Sequence, residues 1–470
     1  MGLLRQATTH LAGCCLMATI SPVRAVYLSE EGIGQVLLFP NYSANVSRGD
    51  GQNTYLSIVN QSSDSKALRV RVHEAREAQE VGAFNLFLSP GDTWTGAILP
   101  SVQTSGTRIV TRDKSCVSEP FGAADGLMQF EFNPSSSSLE RTREGWIEVI
   151  EMSTVTGSSA TAITPDSSGT PANCGAVIGP GAVVSTATPS GGLSGTFTII
   201  NVANGLEFSG NPVALGGVAA TSYYRPASDS YPSLNAAEID PISVVVANGG
   251  VYRSLWQRPI DAVSAVLMRS RWAGEFVLDA GTRSRTDVVL TYPTRQFYVT
   301  QNPPLPPFSQ SCSTPPDTLS GEPITFDYAD REGDVTRFQS ATIVIRCAAS
   351  EVFDFQNSAT PTNTIETGVL GSRSNAWLFS PGSVLIRTGI QNGRFVISAM
   401  SRTLTSLPSS TRTDLSTGNV VAGSHVFSGL PVVGFTARTF ENGTLSCGAG
   451  ACQGNYGGLF PLKFDRSISP

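Results

Sequence analysis

The chain has 470 residues, of which 31 are Lys or Arg and 37 are Asp or Glu, so the net charge is −6 and only 14% of the residues are charged. Soluble domains usually contain about 25% charged residues, and here 46 Gly and 29 Pro indicate many turns instead. This composition excludes a coiled coil, a helical bundle and a polytopic membrane protein, and the negative charge argues against nucleic-acid binding.

Residues 1–25 are predicted to be a signal peptide. Arg5 precedes an apolar run from Leu11 to Ile20, and cleavage after Ala25 would place small or apolar residues at the −3 and −1 positions. We therefore expect export to the periplasm, the cell surface or the extracellular space. The four residues ending at Cys14 resemble a lipoprotein box, but the residues before them are polar. The mature chain contains no apolar stretch long enough for a transmembrane helix.

The first part of the mature chain, residues 26–153, reads as a series of short strands separated by turn residues and is predicted to form a β-sandwich. Residues 67–73 alternate apolar and polar side chains, which predicts a strand with one solvent-facing side that carries His73. Two further runs, residues 84–88 and 93–99, flank a Ser-Pro-Gly-Asp turn and predict a hairpin. The segment 26–28, once freed by cleavage, is a candidate strand for pairing with another chain.

A pair of glutamates flanking a tryptophan is the first candidate ligand site. Glu144 and Glu148 share one face of a predicted strand, and Trp146 lies between them. Two carboxylates on one face can act as acid and base on a glycosidic bond, and the indole offers a platform for a sugar. The alternative without a ligand is a solvated strand face whose acidic side chains pair with nearby arginines.

Residues 154–195 are rich in Gly, Ser, Thr, Ala and Pro and are predicted to be a long excursion without a core of its own. A hairpin follows at residues 195–208, because its Asn204-Gly205 turn suits a type I′ geometry. The pattern of residues 276–292 repeats that of residues 84–99, which suggests a second sandwich within residues 196–470. One short helix is expected at residues 262–271 with Asp261 as its cap, and residues 302–307 form a Pro-rich, polyproline-like connector.

A compact acidic loop is the second candidate site. Its side chains are Asp327, Asp330, Glu332 and Asp334, with Gly333 as the turn residue. Oxygen-rich loops of this kind suit Ca²⁺, although the spacing is not that of an EF-hand. A structural calcium ion is the one cofactor that the sequence suggests.

Six cysteines remain after the predicted cleavage, which fits disulfide bonds in an oxidising compartment. Fifteen pairings are possible, and we expect neighbours along the chain to pair. The expected pairs are Cys116 with Cys174, Cys312 with Cys347, and Cys447 with Cys452.

Several strings along the mature chain together resemble a known group of proteins. They include residues 34–40, 84–90, 141–146, 261–268 and 455–458. On these strings the chain is similar to a group of exported, β-rich, functionally uncharacterised proteins of Gram-negative bacteria. The resemblance implies export and a bacterial source, and it implies no activity.

The sequence thus predicts an all-β protein with two immunoglobulin-like β-sandwich domains, long loops and one short helix. The motifs G-x-S-x-G and H-E-x-x-H are absent, so we expect a non-enzymatic structural or adhesive protein of the surface or extracellular space. Its expected partners are other surface proteins or further copies of itself in a surface assembly. The alternative is a carbohydrate-binding or glycoside-hydrolysing module that recognises glycans.

Overall fold

The computed structural model describes residues 25–47, 50–118, 121, 126–131, 139–279, 281–309, 322–333, 335–337, 343–344, 348–355, 368–372, 376–379, 391–448 and 450–470. These residues are mostly β-structure, which confirms the predicted all-β class, whereas the immunoglobulin-like topology stays a prediction. Apart from Ala25, the predicted signal peptide lies outside the described residues. None of the helices in the described part has the length and apolar character needed to span a membrane.

The N-terminal half comprises fifteen described strands in two antiparallel sheets. The strands are β1 (Tyr27–Leu28), β2 (Val36–Ser43), β3 (Val46–Ser47), β4 (Asp50–Asn60), β5 (Ser65–Glu74), β6 (Glu80–Leu88), β7 (Thr93–Pro100), β8 (Thr107–Val110), β9 (Cys116–Val117), β10 (Leu127–Gln129), β11 (Glu144–Val155), β12 (Thr186–Ala187), β13 (Leu193–Asn201), β14 (Leu206–Gly210) and β15 (Val213–Gly216). Sheet I has the order β1-β15-β2-β11-β5-β6-β9, with β12 beside β11. Sheet II has the order β10-β8-β7-β4-β13-β14, with β3 beside β4.

The C-terminal half comprises the other twenty described strands. They are β16 (Ile242–Ala247), β17 (Gly250–Leu255), β18 (Met268–Arg269), β19 (Arg271–Val277), β20 (Arg285–Thr291), β21 (Pro323–Asp330), β22 (Val335–Arg337), β23 (Ile343–Val344), β24 (Ser350–Phe355), β25 (Ala376–Phe379), β26 (Asn392–Ser398), β27 (Thr403–Thr405), β28 (Thr411–Asp414), β29 (Val420–Ala422), β30 (Val426–Ser428), β31 (Leu430–Pro431), β32 (Val433–Cys447), β33 (Gly450–Pro461), β34 (Lys463–Asp465) and β35 (Ser467–Ser469).

These later strands form three larger sheets and two small ones. Sheet III has the order β22-β21-β26-β19-β34 with β23 beside β21, and sheet IV has the order β25-β24-β20-β32-β33. Sheet V is β16-β17-β28-β29, and the small sheets are β18-β31 and β27-β30-β35. The described helices are a 3-10 helix (Leu139–Arg143), α1 (Gly157–Ile163), α2 (Gly175–Ile178), α3 (Pro259–Leu267) and α4 (Gln296–Val299).

Sheets I and II pack face to face because their strands alternate apolar and polar residues. On β5 the inward residues are Leu68, Val70 and Val72, and sheet II contributes Trp94 and Ile98 to the same buried cluster. In the C-terminal half, sheets III and IV meet through aromatic rings. The ring of Phe276 on β19, for example, stacks on that of Phe355 on β24 with 5.0 Å between centroids.

The predicted hairpin at residues 84–99 is wrong, although both of its strands exist. Strand β6 pairs with β5 and β9 in sheet I, whereas β7 pairs with β4 and β8 in sheet II. The turn between them therefore crosses from one sheet to the sheet that faces it. The repeat of this pattern at residues 276–292 also crosses between sheets, because β19 belongs to sheet III and β20 to sheet IV. The predicted hairpin of β13 and β14 is confirmed, but its turn is not type I′, because its loop spans residues 202–205 and only Gly205 has a positive φ (62°).

The two halves share buried clusters. The outer face of sheet I contributes Trp146 and Ile150 to a cluster that also contains α3 and the aromatic residues of sheets III and IV. Strands β13 and β15 pair with β4 and β2, so residues 193–216 belong to the N-terminal sheets although the second domain was predicted to begin at residue 196. Residues 217–241, which we call the strap, contain no helix or strand and connect β15 to β16.

Helix α3 begins and ends earlier than predicted. Its first residue is Pro259, whose fixed φ suits the start of a helix, so Asp261 lies in the first turn and is not the cap. Asp261 instead accepts a hydrogen bond from Arg258 at 2.6 Å. The helix ends at Leu267 because the next two residues form β18 and pair with β31. The described residues also contain three α-helices that were not predicted, namely α1, α2 and α4.

The Pro-rich connector at residues 302–307 is not the extended spacer that its composition predicts. The backbone N–H of Leu305 bonds to the carbonyl of Tyr298 at 3.2 Å, and that of Phe308 bonds to Leu305 at 3.2 Å. Phe308 is buried, with its ring 5.7 Å from that of Tyr298. Apolar packing of Leu305 and Phe308 against the core therefore folds this segment back onto the protein.

Two of the three predicted disulfides are confirmed. Cys116 and Cys174 are bonded with a Cα–Cα distance of 5.2 Å, which ties the excursion to β9. Cys447 and Cys452 are bonded across the turn between β32 and β33, with a Cα–Cα distance of 5.8 Å. The predicted pair of Cys312 and Cys347 lies outside the described residues. Disulfides of this kind are compatible with an exported protein.

Candidate functional site

The predicted glycan site at Glu144, Trp146 and Glu148 is wrong, because the three side chains are buried. Trp146 and Glu148 are 0% exposed and Glu144 is 6% exposed. They lie on β11, which is a central strand of sheet I between β2 and β5. The outer face of this sheet is covered by other parts of the chain, so neither the indole nor the carboxylates can meet a ligand from solvent.

Glu148 instead is the centre of a buried ionic group. Its Oε1 atom lies 3.2 Å from Nη1 of Arg71 and 3.4 Å from Nε2 of His73. The His73 ring stacks on Trp146 with 4.3 Å between centroids. His73 is therefore buried, and the solvent-facing position that the alternation of β5 predicts for it is wrong. Burial by itself would raise the pKa of Glu148, but Arg71, His73 and Arg69 together lower that pKa below its ordinary value.

The strap explains why a polar strand face is buried. Arg69 donates to the carbonyls of Ala227 at 3.0 Å and Asp229 at 2.9 Å, and Arg71 donates to the carbonyl of Pro232 at 3.1 Å. Because the strap is not part of a sheet, most of its backbone carbonyls have no hydrogen-bond partner on a neighbouring strand. Buried carbonyls nevertheless require hydrogen-bond donors. The arginines of β5 supply them, so this charged face holds the fold together and is not a ligand site.

The predicted calcium loop stays a prediction. Asp327 and Asp330 lie on β21 and Glu332 lies in the turn that follows, whereas Asp334 is outside the described residues. Glu332 forms an exposed ion pair with Arg331 at 3.2 Å. Within the described ranges, no three His, Cys, Asp or Glu side chains converge as a metal site would require.

The feature that stands out is a cleft between β1 and β16, which are the edge strands of sheets I and V. The two strands are joined in parallel at one point. The N–H of Val26 bonds to the carbonyl of Ile242 at 2.8 Å, and the N–H of Val244 bonds to the carbonyl of Val26 at 2.9 Å. Beyond this point, no backbone hydrogen bond joins the two strands in the part of the chain that the structure describes. The strands therefore diverge, and the cleft opens between them.

The backbone alternation of each strand places polar groups in this opening. Val26 bonds to β16 and Ser29 donates to Ala214 on the β15 side at 2.9 Å, so the N–H and C=O of Leu28 face the cleft. On β16 the groups of Ile242 and Val244 face β1, so those of Val246 face the cleft as well. Two strand edges that no other described strand covers thus line one opening.

The cleft, of about 1280 Å³, is larger than the roughly 300–1,000 Å³ that is typical of small-molecule pockets. Exposed apolar side chains line it, among them Tyr27 (46% exposed), Val246 (62%), Met400 (55%) and Phe464 (47%). The charged side chains at its wall are Glu30, Glu31, Arg271, Asp465 and Arg466.

Two arginines make one end of the cleft rigid. Arg269 donates to the carbonyl of Val266 at 3.0 Å and Arg466 to the same carbonyl at 2.7 Å, which satisfies the C-terminal end of α3. Burial lowers the pKa of Arg466 to about 10. The Arg269 guanidinium also lies 3.9 Å from the ring centre of Phe464, so this aromatic wall of the cleft is held in place.

Residues 26–28, the candidate strand for pairing with another chain, already belong to the fold. Val26 is 0% exposed, and β1 pairs with β15. Gly216 and Gly217 leave no room for side chains where Tyr27 and Ala25 pack against them. The segment offers an edge to another strand and is not itself free to leave.

Sequence reasoning missed the second wall of the cleft. A short apolar run, Val244 to Val246, precedes Asn248-Gly249, which is the commonest signal for a type I′ hairpin. The structure forms this hairpin between β16 and β17, with positive φ at both turn residues. That signal finds the hairpin but not its position beside β1.

A second concave surface lies on the outer face of sheet II. It is a depression of about 720 Å³ beside Tyr55, whose side chain is 45% exposed. Hydroxyl groups cover its floor, and Ser57 and Thr196 are hydrogen-bonded across β4 and β13 at 2.8 Å. Arg112 is the one charged side chain among its lining residues.

Comparison with known proteins adds no assignment. No family model matches the chain, and neither a curated protein nor a solved structure does.

Proposed function

We propose that the chain is an exported, non-enzymatic structural or adhesive protein of the cell surface or extracellular space, and that it binds a partner polypeptide in the cleft between β1 and β16. The observation that carries this proposal is the pair of strand edges that face one opening and have no partner strand among the described residues. Unpaired edges invite pairing with another chain unless they are covered. The size of the cleft also suits a polymer better than a metabolite.

The test combines cell fractionation with negative-stain electron microscopy of a Gram-negative host that produces the protein. We expect the wild type outside the cytoplasm, with surface structures that depend on it. Met400→Arg places a charge in the cleft and should remove these structures. Val183→Arg, at a residue that is 87% exposed and outside the cleft lining, should retain them. A wild-type protein that stays monomeric at high concentration and produces no surface structure contradicts the proposal.

A second candidate function, binding of a neutral glycan, is favoured by the depression beside Tyr55. An exposed aromatic ring next to hydroxyl groups offers an apolar face and hydrogen-bond partners to a sugar, and few charges surround it. This surface is unrelated to the buried glutamates of β11. The structure gives no reason to add hydrolysis to this binding.

For the glycan candidate we expect the full chain to bind neutral polysaccharides on a glycan array. Tyr55→Ala should weaken this binding at least tenfold, because the ring supplies the apolar platform. The matched control is Tyr456→Ala, which removes another exposed tyrosine (61% exposed) from the other half of the protein. Equal losses in both variants, or no binding by the wild type, exclude the site.

A further inference from the structure

We infer that the partner inserts one extended strand between β1 and β16 and bonds to both edges at once. This inference rests on the proposed function and specifies how the cleft recognises its partner. The inserted strand would extend sheet I into sheet V as one continuous sheet. Recognition would then use main-chain hydrogen bonds, as in β-augmentation, with the side chains of the cleft adding selectivity.

The geometry of the junction supports insertion over simple edge pairing. At Val26 and Ser243 the two strands are already parallel neighbours, so their directions agree where the cleft begins. The outward groups of Leu28 and Val246 then face each other across the opening. A strand has donors and acceptors on both edges in alternation, which matches an opening that presents backbone groups on both sides.

The charges at the mouth define the chemistry of this strand further. Glu30 and Glu31 are exposed on the β1 side, whereas Arg271 lies 3.6 Å from Asp465, with which it forms an ion pair. The β1 side of the cleft is therefore acidic. We expect the inserted segment to have alternating apolar residues and a Lys or Arg near the end that lies beside these glutamates.

The experiment uses the full mature chain and a library of displayed linear twelve-residue peptides. Enriched peptides should be extended, apolar in alternation and basic at one end, and their binding is measured by fluorescence anisotropy. Val246→Pro removes an N–H that faces the cleft and should weaken binding at least tenfold. The matched control is Val420→Pro on β29, the opposite edge of sheet V, at a similar exposure (63% against 62% for Val246).

A change in the peptide avoids any effect of a substitution on folding. N-methylation at either of two consecutive central residues should weaken binding, because successive N–H groups point to opposite edges and both edges are used. Pairing with one edge only predicts a loss at just one of the two positions and overturns insertion. Binding that tolerates both methyl groups overturns the strand inference but retains a polypeptide-binding cleft. No enrichment on the wild type overturns the proposed function as well.

Discussion

Replacing Glu148 by glutamine is expected to lower the free energy of unfolding by about 3–5 kcal/mol, which is the usual cost of removing one partner from a buried ion pair. The neutral amide leaves Arg71 with the partly exposed Glu80 as its remaining ion-pair partner, on a face that the strap shields from water. The measurement is urea-induced unfolding at neutral pH. Exposed Glu207, when changed to glutamine, serves as the control and should alter stability by less than about 0.5 kcal/mol.

The pH dependence of this effect has a defined sign. The pKa of Glu148 is lower in the folded protein than its ordinary value, so its contribution to stability is present at neutral pH and is lost as the pH falls through the folded pKa. The difference between wild type and Glu148→Gln should therefore shrink on acidification. A constant difference, or a loss below 1 kcal/mol at neutral pH, contradicts the assignment of Glu148 as the centre of the buried group.

Asp287→Asn is expected to remove a pH dependence of stability whose sign is opposite to that of Glu148. Asp287 on β20 is buried beside Asp354 on β24, and it accepts a hydrogen bond from the N–H of Leu370 at 2.8 Å. Burial raises the pKa of Asp287 from 3.8 to about 6, although backbone donors, Asp354 and Arg285 oppose this shift. A raised pKa means that the contribution to stability is complete below the ordinary pKa and is lost as the pH rises to about 6.

The expected magnitude follows from about 1.4 kcal/mol for each pKa unit. From pH 4 to pH 7 the wild type should lose about 2 kcal/mol relative to Asp287→Asn, because asparagine keeps an acceptor for Leu370 without a charge. Urea unfolding across this range measures the difference. Asp465→Asn, which changes an exposed aspartate, should keep the wild-type slope. Parallel pH profiles for wild type and Asp287→Asn contradict a buried Asp287 carboxyl with a raised pKa.

Asp287 lies where the two halves of the protein are joined. Residues 368–372 bond to Asp287 on one side and to the N-terminal half on the other. Ser43 donates to the carbonyl of Leu370 at 2.8 Å, and Gln52 donates to that of Val369 at 3.2 Å. We therefore expect deprotonation of Asp287 to loosen contacts between the halves as well as the local turn.

Local sequence patterns determined the strand content, the hairpin at Gly205 and the disulfide of Cys447 with Cys452, whereas neighbour order alone suggests the pair of Cys116 and Cys174. Alternation shows which residues share a face, and a short Gly-rich loop between cysteines shows which pair can close. The candidate sites were not predictable in this way. Glu148 and His73 have the pattern of a solvated face, and only the strap, which follows β5 by more than 140 residues, shows that this face is covered.

The cleft was not predictable from the sequence either. The residues of β1 and β16 are about 215 positions apart, and each strand by itself reads as an ordinary short β-segment. The sequence by itself determined that the chain forms β-strands with buried and polar faces, because side-chain alternation is a local property. Only the tertiary structure decided which polar face is buried and which edges stay unpaired, because both depend on which distant segment packs alongside.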